Sequence, residues 1–130
     1  VGANGSDSSG VYNGAVYLYD RNGEVWNYRE KILPPNLNSD NAFGIGLALN
    51  KEGTLLLVGS IGTRTRGNVA GTVYIYRKEG SSWSMKDALY ISNSRTSDEF
   101  GRGVAMTADG KLALIGAVTR DEVVTDQGVV

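Results

Sequence analysis

Apolar residues in this chain gather in short runs separated by glycine-bearing turns, and none forms a capped stripe at the 3.6-residue helical period. From Gly44 to Leu49 small and large residues alternate, so Gly44, Gly46 and Ala48 are expected on one face and Ile45, Leu47 and Leu49 on the other. Leu55-Leu56-Leu57-Val58 is continuously apolar, as in a strand covered on both faces. Val16-Tyr17-Leu18-Tyr19 and Val73-Tyr74-Ile75-Tyr76 alternate aliphatic and aromatic side chains. Trp26 to Leu33 carries Arg29, Glu30 and Lys31, which suits an outer edge strand, and Trp83 to Ile91 is its counterpart. Asn22-Gly23, Glu79-Gly80, Glu52-Gly53 and Asp109-Gly110 mark hairpin turns, and Pro34-Pro35 stops a strand because neither proline can donate to a ladder. The pattern predicts an all-β chain.

These runs recur at one fixed offset. The shift that carries Val1-Gly2 onto Val58-Gly59 carries that pair in turn onto Ile115-Gly116. Under the same shift Gly14 lands on Gly71 and then Gly128, and Trp26 on Trp83. Phe43-Gly44-Ile45-Gly46-Leu47-Ala48 lands on Phe100-Gly101-Arg102-Gly103-Val104-Ala105, with no gap. About a third of the positions are identical between the first two units, mainly glycine, aromatic and aliphatic ones. The units are residues 1–57, 58–114 and a partial 115–130 of a single repeat region spanning 1–130. Each reads as four short antiparallel strands, which predicts the blades of a β-propeller, with a complete blade at about residues 43–91. Small residues on the Phe43–Leu49 strand suit the innermost position, where blades converge. A solenoid or a flat stack of sheets is the competing architecture.

Composition narrows the chemistry. Eighteen glycines against two prolines fit many tight turns. The net charge of −1 offers no footprint for nucleic acid, and no apolar run is long enough to insert in a membrane. Cysteine and histidine are both absent, which excludes disulfides, the usual zinc sites, Cys- or His-based nucleophile pairs and Ser-His-Asp triads within these residues. No leader pattern precedes Val1, so an interior segment or a processed product is expected.

Phe43-Gly44 and Phe100-Gly101, followed by Val58-Gly59-Ser60 and Ile115-Gly116-Ala117, resemble the FG-GAP repeats of integrin α-subunit propellers. The proline position of that motif is held by Ile61 and Val118, and Gly14-Ala15-Val16-Tyr17 is similar to the family's third strand. The repeat signature is thus Phe43, Gly44, Gly59, Phe100, Gly101 and Gly116. The resemblance implies a non-catalytic, extracellular or cell-surface module for adhesion or assembly, whose partner is another protein or further copies of itself. Many members hold calcium in an Asp-x-Asp-x-Asp-Gly loop between the first two strands of a blade. Here Asn50-Lys51-Glu52-Gly53 and Thr107-Ala108-Asp109-Gly110 stand instead, each with at most one carboxylate, so no cofactor is expected and Glu52 and Asp109 read as turn residues.

Candidate binding residues fall in the loops joining second and third strands, Ala3 to Asn13, Ser60 to Ala70 and Ala117 to Gln127, because loops on a rigid scaffold commonly carry binding groups. Arg64 and Arg66 could bind an acidic partner, a carboxylate-bearing glycan or the next subunit, and Asn68 is a further candidate binding residue of the same loop. Asp7, Asp121, Glu122 and Asp126 have the opposite sign and suit pairing between units; solvated charge without a role is the plain alternative. Asp98-Glu99 and Asp40-Asn41 could form carboxylate sites, or simply bond local backbone. Tyr17, Tyr19, Tyr74 and Tyr76 could stack on sugars, but their repetition suits packing between blades, as it does for Trp26 and Trp83. Asn4-Gly5-Ser6 is an N-glycosylation sequon. Two other functions compete: a glycan-binding lectin using Asn13, Asn68 or Asp126, and an accessory domain of a larger enzyme. Two units and a fragment do not close a ring, so three forms are open: a segment of a longer chain, several associating copies, or an open head-to-tail filament.

Overall fold

A computed structural model describes residues 1–5, 13–36, 41–65, 68–93 and 95–119. The described residues form antiparallel sheets and contain no helix. The predicted all-β class is therefore correct, and among the described residues the sheets do not close into a barrel or ring.

Four sheets follow one another among the described residues, one of them a two-stranded pair of two-residue strands. The first is three-stranded: β1 (Gly2–Ala3), β2 (Ala15–Asn22) and β3 (Val25–Ile32). The central one holds β4 (Phe43–Leu49), β5 (Leu55–Ser60), β8 (Thr72–Glu79) and β9 (Ser82–Leu89), in the order β4-β5-β8-β9. A small hairpin, β6 (Arg64–Thr65) with β7 (Asn68–Val69), occupies the segment expected to be a plain loop between β5 and β8. Last, β10 (Phe100–Met106) and β11 (Ala113–Ala117) form a pair.

Local chemistry accounts for the turns. Gly23 and Gly80 sit at φ +62° and +61° between the strands of the β2–β3 and β8–β9 hairpins, where a β-carbon would be disfavoured. β3 ends at Ile32, just before Leu33 and the two prolines. The β4–β5 turn is tied by Asn50, whose Oδ1 accepts the Thr54 and Leu55 amides at 2.8 and 2.9 Å. Thr107 plays that part in the β10–β11 turn, its hydroxyl accepting the Leu112 amide at 3.1 Å.

The core lies between the first two sheets. Val16 and Ile32 face Phe43, Leu56, Val58, Tyr74 and Tyr76, with Leu18, Leu47, Trp83 and Ala88 closing the margin. Phe43 is fully buried, its ring centroid 5.8 Å from that of Tyr74 and 6.3 Å from that of Tyr76. Burying such a ring contributes about 1.5–3 kcal/mol. Of the four tyrosines expected to pack between sheets, Tyr74 and Tyr76 on β8 do so, whereas Tyr19 on β2 is 42% exposed. Arg29 adds a polar link, donating to the Ser81 carbonyl from Nε at 3.3 Å and Nη2 at 3.0 Å while Nη1 meets Asp20 Oδ2 at 2.6 Å.

Two expectations are corrected. The alternation along Gly44–Leu49 breaks, because pairing with β5 slips between Phe43 and Leu47 and Gly44 adopts φ +91°. A Cβ on Gly44 would lie 2.8 Å from the Ala15 carbonyl oxygen, whereas one on Gly46 would lie 2.8 Å from a Val104 methyl. The two glycines therefore face opposite neighbours rather than one. Trp26 is no packing residue here: it is 63% exposed, with the Arg21 guanidinium 5.8 Å from its ring centroid. Its counterpart Trp83 does reach the core margin.

Candidate functional site

Where one sheet meets the next, backbone touches backbone. Gly14 forms a parallel bridge to Phe43, whose amide donates to the Asn13 carbonyl at 3.0 Å. A Cβ on Gly14 would come within 2.7 Å of the Phe43 nitrogen, and one on Gly71 within 2.8 Å of the Phe100 nitrogen. The Phe100 amide donates to the Ala70 carbonyl at 2.8 Å. Gly2 lies over the Gly44 carbonyl, and Gly59 lies over that of Gly101. Gly116, the last of the signature residues, is exposed, and a Cβ on it would meet only the Gly103 carbonyl oxygen, at 3.9 Å.

These crossings leave a cleft of about 250 Å³ lined by Ala42, Ile61, Gly62, Val69, Ser97 and Glu99. Three of its residues hold a left-handed backbone without being glycine: Ala42 at φ +47°, Ser97 at +72° and Glu99 at +52°. Such conformations persist only where surrounding bonds impose them. Here the Gly62 amide donates to the Asn41 carbonyl at 3.0 Å and the Ser97 amide to the Val69 carbonyl at 2.7 Å. Ser60 Oγ donates to the Asn41 carbonyl at 2.9 Å and accepts from Thr63 Oγ1 at 2.8 Å. Asn41 Nδ2 donates to the Asn36 carbonyl at 2.5 Å and to Asn13 Oδ1 at 3.4 Å. The cleft is small and mostly apolar, with one carboxylate at its edge: Glu99 Oε2 accepts from Arg102 Nη1 at 2.5 Å.

The predicted binding residues divide around this cleft. Arg64 and Asn68 fall on opposite strands of the β6–β7 hairpin, whose Val69 lines it. Asp7, Arg66, Asp121, Glu122 and Asp126 lie outside the described residues, as does Asp40. Asn4 is exposed in the turn after β1. Asn13 must be removed from the glycan-facing set, because it is fully buried and bonded to Asn41. Its counterpart in the next unit is Ala70, also fully buried, and that apolar substitution is the signal that would have found it. Asp98 is buried too, its Oδ2 accepting the Arg95 amide at 2.7 Å; this carboxylate holds a turn. Ala42 and Ser97 carry no sequence signal of their left-handed backbone.

At the opposite end of the sheets, the β4–β5 and β10–β11 turns meet, with the Lys51 amide donating to the Ala108 carbonyl at 2.9 Å. A depression of about 410 Å³ there includes Asn50, Arg77, Lys78, Asp109 and Lys111. Asp109 Oδ1 accepts from Thr107 Oγ1 at 2.6 Å and from the Lys111 amide at 3.1 Å, and these bonds hold its carboxyl below the usual range. Calcium does not fit these turns: their oxygens bond the turn itself, each turn brings one carboxylate, and Lys51 adds a positive charge. Among the described residues no three His, Cys, Asp or Glu side chains converge on a common point. No described helix is long and apolar enough to cross a membrane. No family model matches the chain, and comparison with curated proteins returns no match.

Proposed function

We propose that the chain is a run of β-propeller blades of the FG-GAP type, serving as a non-catalytic scaffold for protein adhesion or assembly at an extracellular or cell-surface location. The observation that carries this reading is the pairing of crossings. Gly14 meets Phe43 as Gly71 meets Phe100, and Gly2 meets Gly44 as Gly59 meets Gly101, each crossing recurring at the same place in the next unit. A fixed relation between successive sheets is what a blade array requires. The polar groups at the cleft bond turns and one another, which suits a presenting surface better than acid–base chemistry. The extracellular location rests on the family resemblance alone.

Binding is tested by offering the purified chain to a panel of immobilised extracellular proteins and to itself, alongside a variant carrying Arg64→Glu and Arg66→Glu. Binding that this variant loses supports the loop-presenting scaffold. A chain that binds nothing in the panel, itself included, overturns it. A second reading, glycan recognition, is favoured by the open cleft beside Glu99; a glycan array probed with the same two proteins decides between them.

A further inference from the structure

We propose that the depression between the β4–β5 and β10–β11 turns binds one tetrahedral oxyanion, phosphate or sulfate, through Arg77, Lys78 and Lys111. The inference goes beyond the scaffold reading and uses none of the loop residues named there. Arg77 and Lys78 line the depression from the end of β8, and Asp109 and Lys111 line it from the β10–β11 turn. Its parts are locked to one another by backbone. The Lys51 amide donates to the Ala108 carbonyl and the Lys78 amide to the Thr54 carbonyl, both at 2.9 Å. A Cβ on Gly110 would lie 3.1 Å from a Leu55 methyl, so the second turn sits directly on the neighbouring sheet.

The charges there do not cancel. Three cations stand against the single carboxylate of Asp109, whose Oδ1 is already bonded to the Thr107 hydroxyl and the Lys111 amide. Glu52, the other carboxylate of these turns, lies outside the lining and accepts from Asn50 Nδ2 at 3.3 Å. Among the described residues Lys78 and Lys111 form no ion pair. Arg77 feels only Glu79, which is itself paired with Lys86. A concave surface with an excess of one sign focuses its field on a counter-ion. Cations reaching it from two elements suit an ion whose oxygens point in several directions, and the guanidinium adds a paired donor.

Comparison between units shows that the repeat itself does not demand this charge. The counterparts of Arg77, Lys78, Asp109 and Lys111 are Asp20, Arg21, Glu52 and Thr54, in which carboxylates outnumber cations. Asp20 is moreover paired with Arg29 at 2.6 Å. Lys86, the counterpart of Arg29, turns to Glu79 instead and leaves Arg77 to the depression. The same framework thus carries opposite charge at two successive places, and the basic one belongs to a single place in the chain. With a net charge of −1 the chain offers no basic track for a polyanion, so the site takes one group.

Titration calorimetry of the full chain with sodium phosphate, sodium sulfate and galactose 6-sulfate, at ionic strength matched by sodium chloride, tests the proposal. Lys78→Gln with Lys111→Thr should weaken binding about tenfold or more, since two charged donors are lost. Arg21→Gln with Lys31→Gln removes the same charge elsewhere, at exposed positions, and should leave binding unchanged. Tighter binding of the sugar ester than of the free ions assigns the site to a displayed group, and the reverse to a free ion; both support it. Equal loss in the two double variants reduces the effect to net charge and overturns the proposal, as does a wild-type chain that binds none of the three ligands. Should the first double variant fail to fold, Lys111→Thr and Lys111→Arg replace it. Binding weakened by the first and kept by the second supports the site, and binding unchanged in Lys111→Thr overturns it.

Discussion

Gly71 crosses Phe100 so closely that a Cβ on it would lie 2.8 Å from the Phe100 nitrogen and nearer still to its carbonyl oxygen. Gly71 also has φ +95°, so a side chain there is strained twice, by its own backbone and by its neighbour's. Gly71→Ala is expected to cost about 3–5 kcal/mol, a large part of a domain's stability. Gly23→Ala, at φ +62° with nothing within 4 Å, isolates the conformational part and should cost about 1 kcal/mol. Urea titrations of the two variants make the comparison; equal losses would mean that the crossing is not tight.

Phe43 and Phe100 occupy equivalent places with unequal surroundings. Phe43 is fully buried beneath Tyr74 and Tyr76, while Phe100 is half-buried because no described sheet covers β10–β11 beyond it. Phe43→Ala should lose about 3–5 kcal/mol by leaving a cavity, and Phe100→Ala markedly less in the monomer.

Burial, followed by the neighbouring charge of Tyr74, raises the Tyr76 phenol well above its ordinary value of 10.0. The folded form therefore resists ionisation that the unfolded chain undergoes near pH 10, so this contribution is complete below about pH 10 and lost as pH rises further. Alkaline unfolding should begin in that range, with tyrosinate absorbance rising together with loss of structure. Tyr76→Phe should move the onset to higher pH; an unchanged onset would assign it to another group.

The two tryptophans should separate in fluorescence. Trp26, on the outer face of β3, should be accessible to iodide, and Trp26→Ala should change monomer stability by no more than about 0.5 kcal/mol. Trp83 packs at the core margin, so it should be shielded, and Trp83→Ala should cost more than about 1 kcal/mol. Similar quenching of both would contradict the exposure of Trp26.

Much of this arrangement was legible because it depends on local rules. The hairpins follow from Asn22-Gly23, Glu79-Gly80, Glu52-Gly53 and Asp109-Gly110, and the end of β3 from Pro34-Pro35. What escaped depends on partners distant in sequence. Gly44 and Gly46 point apart because β4 slips against β5, and alternation alone cannot register a slip. Trp26 and Trp83 share a sequence place but not an environment, since a sheet precedes one and not the other among the described residues. Asn13 looks like a loop residue until it is compared with the buried Ala70. At the cleft, the hairpin residues and Glu99 were singled out; the left-handed Ala42 and Ser97 are held by amide bonds to the Asn41 and Val69 carbonyls that no composition reveals.

At the glycine crossings an α-carbon lies directly against a peptide oxygen, and that contact fixes the spacing of successive sheets. Such a seam has no adjustable part. Drift in the outer strands or in the loops leaves its pitch untouched, so the chain can diversify its rim while its inner geometry stays calibrated. The same seam makes the chain intolerant at a handful of glycines and permissive almost everywhere else, as a gauge block constrains a few faces of a machine and leaves the rest to be shaped at will.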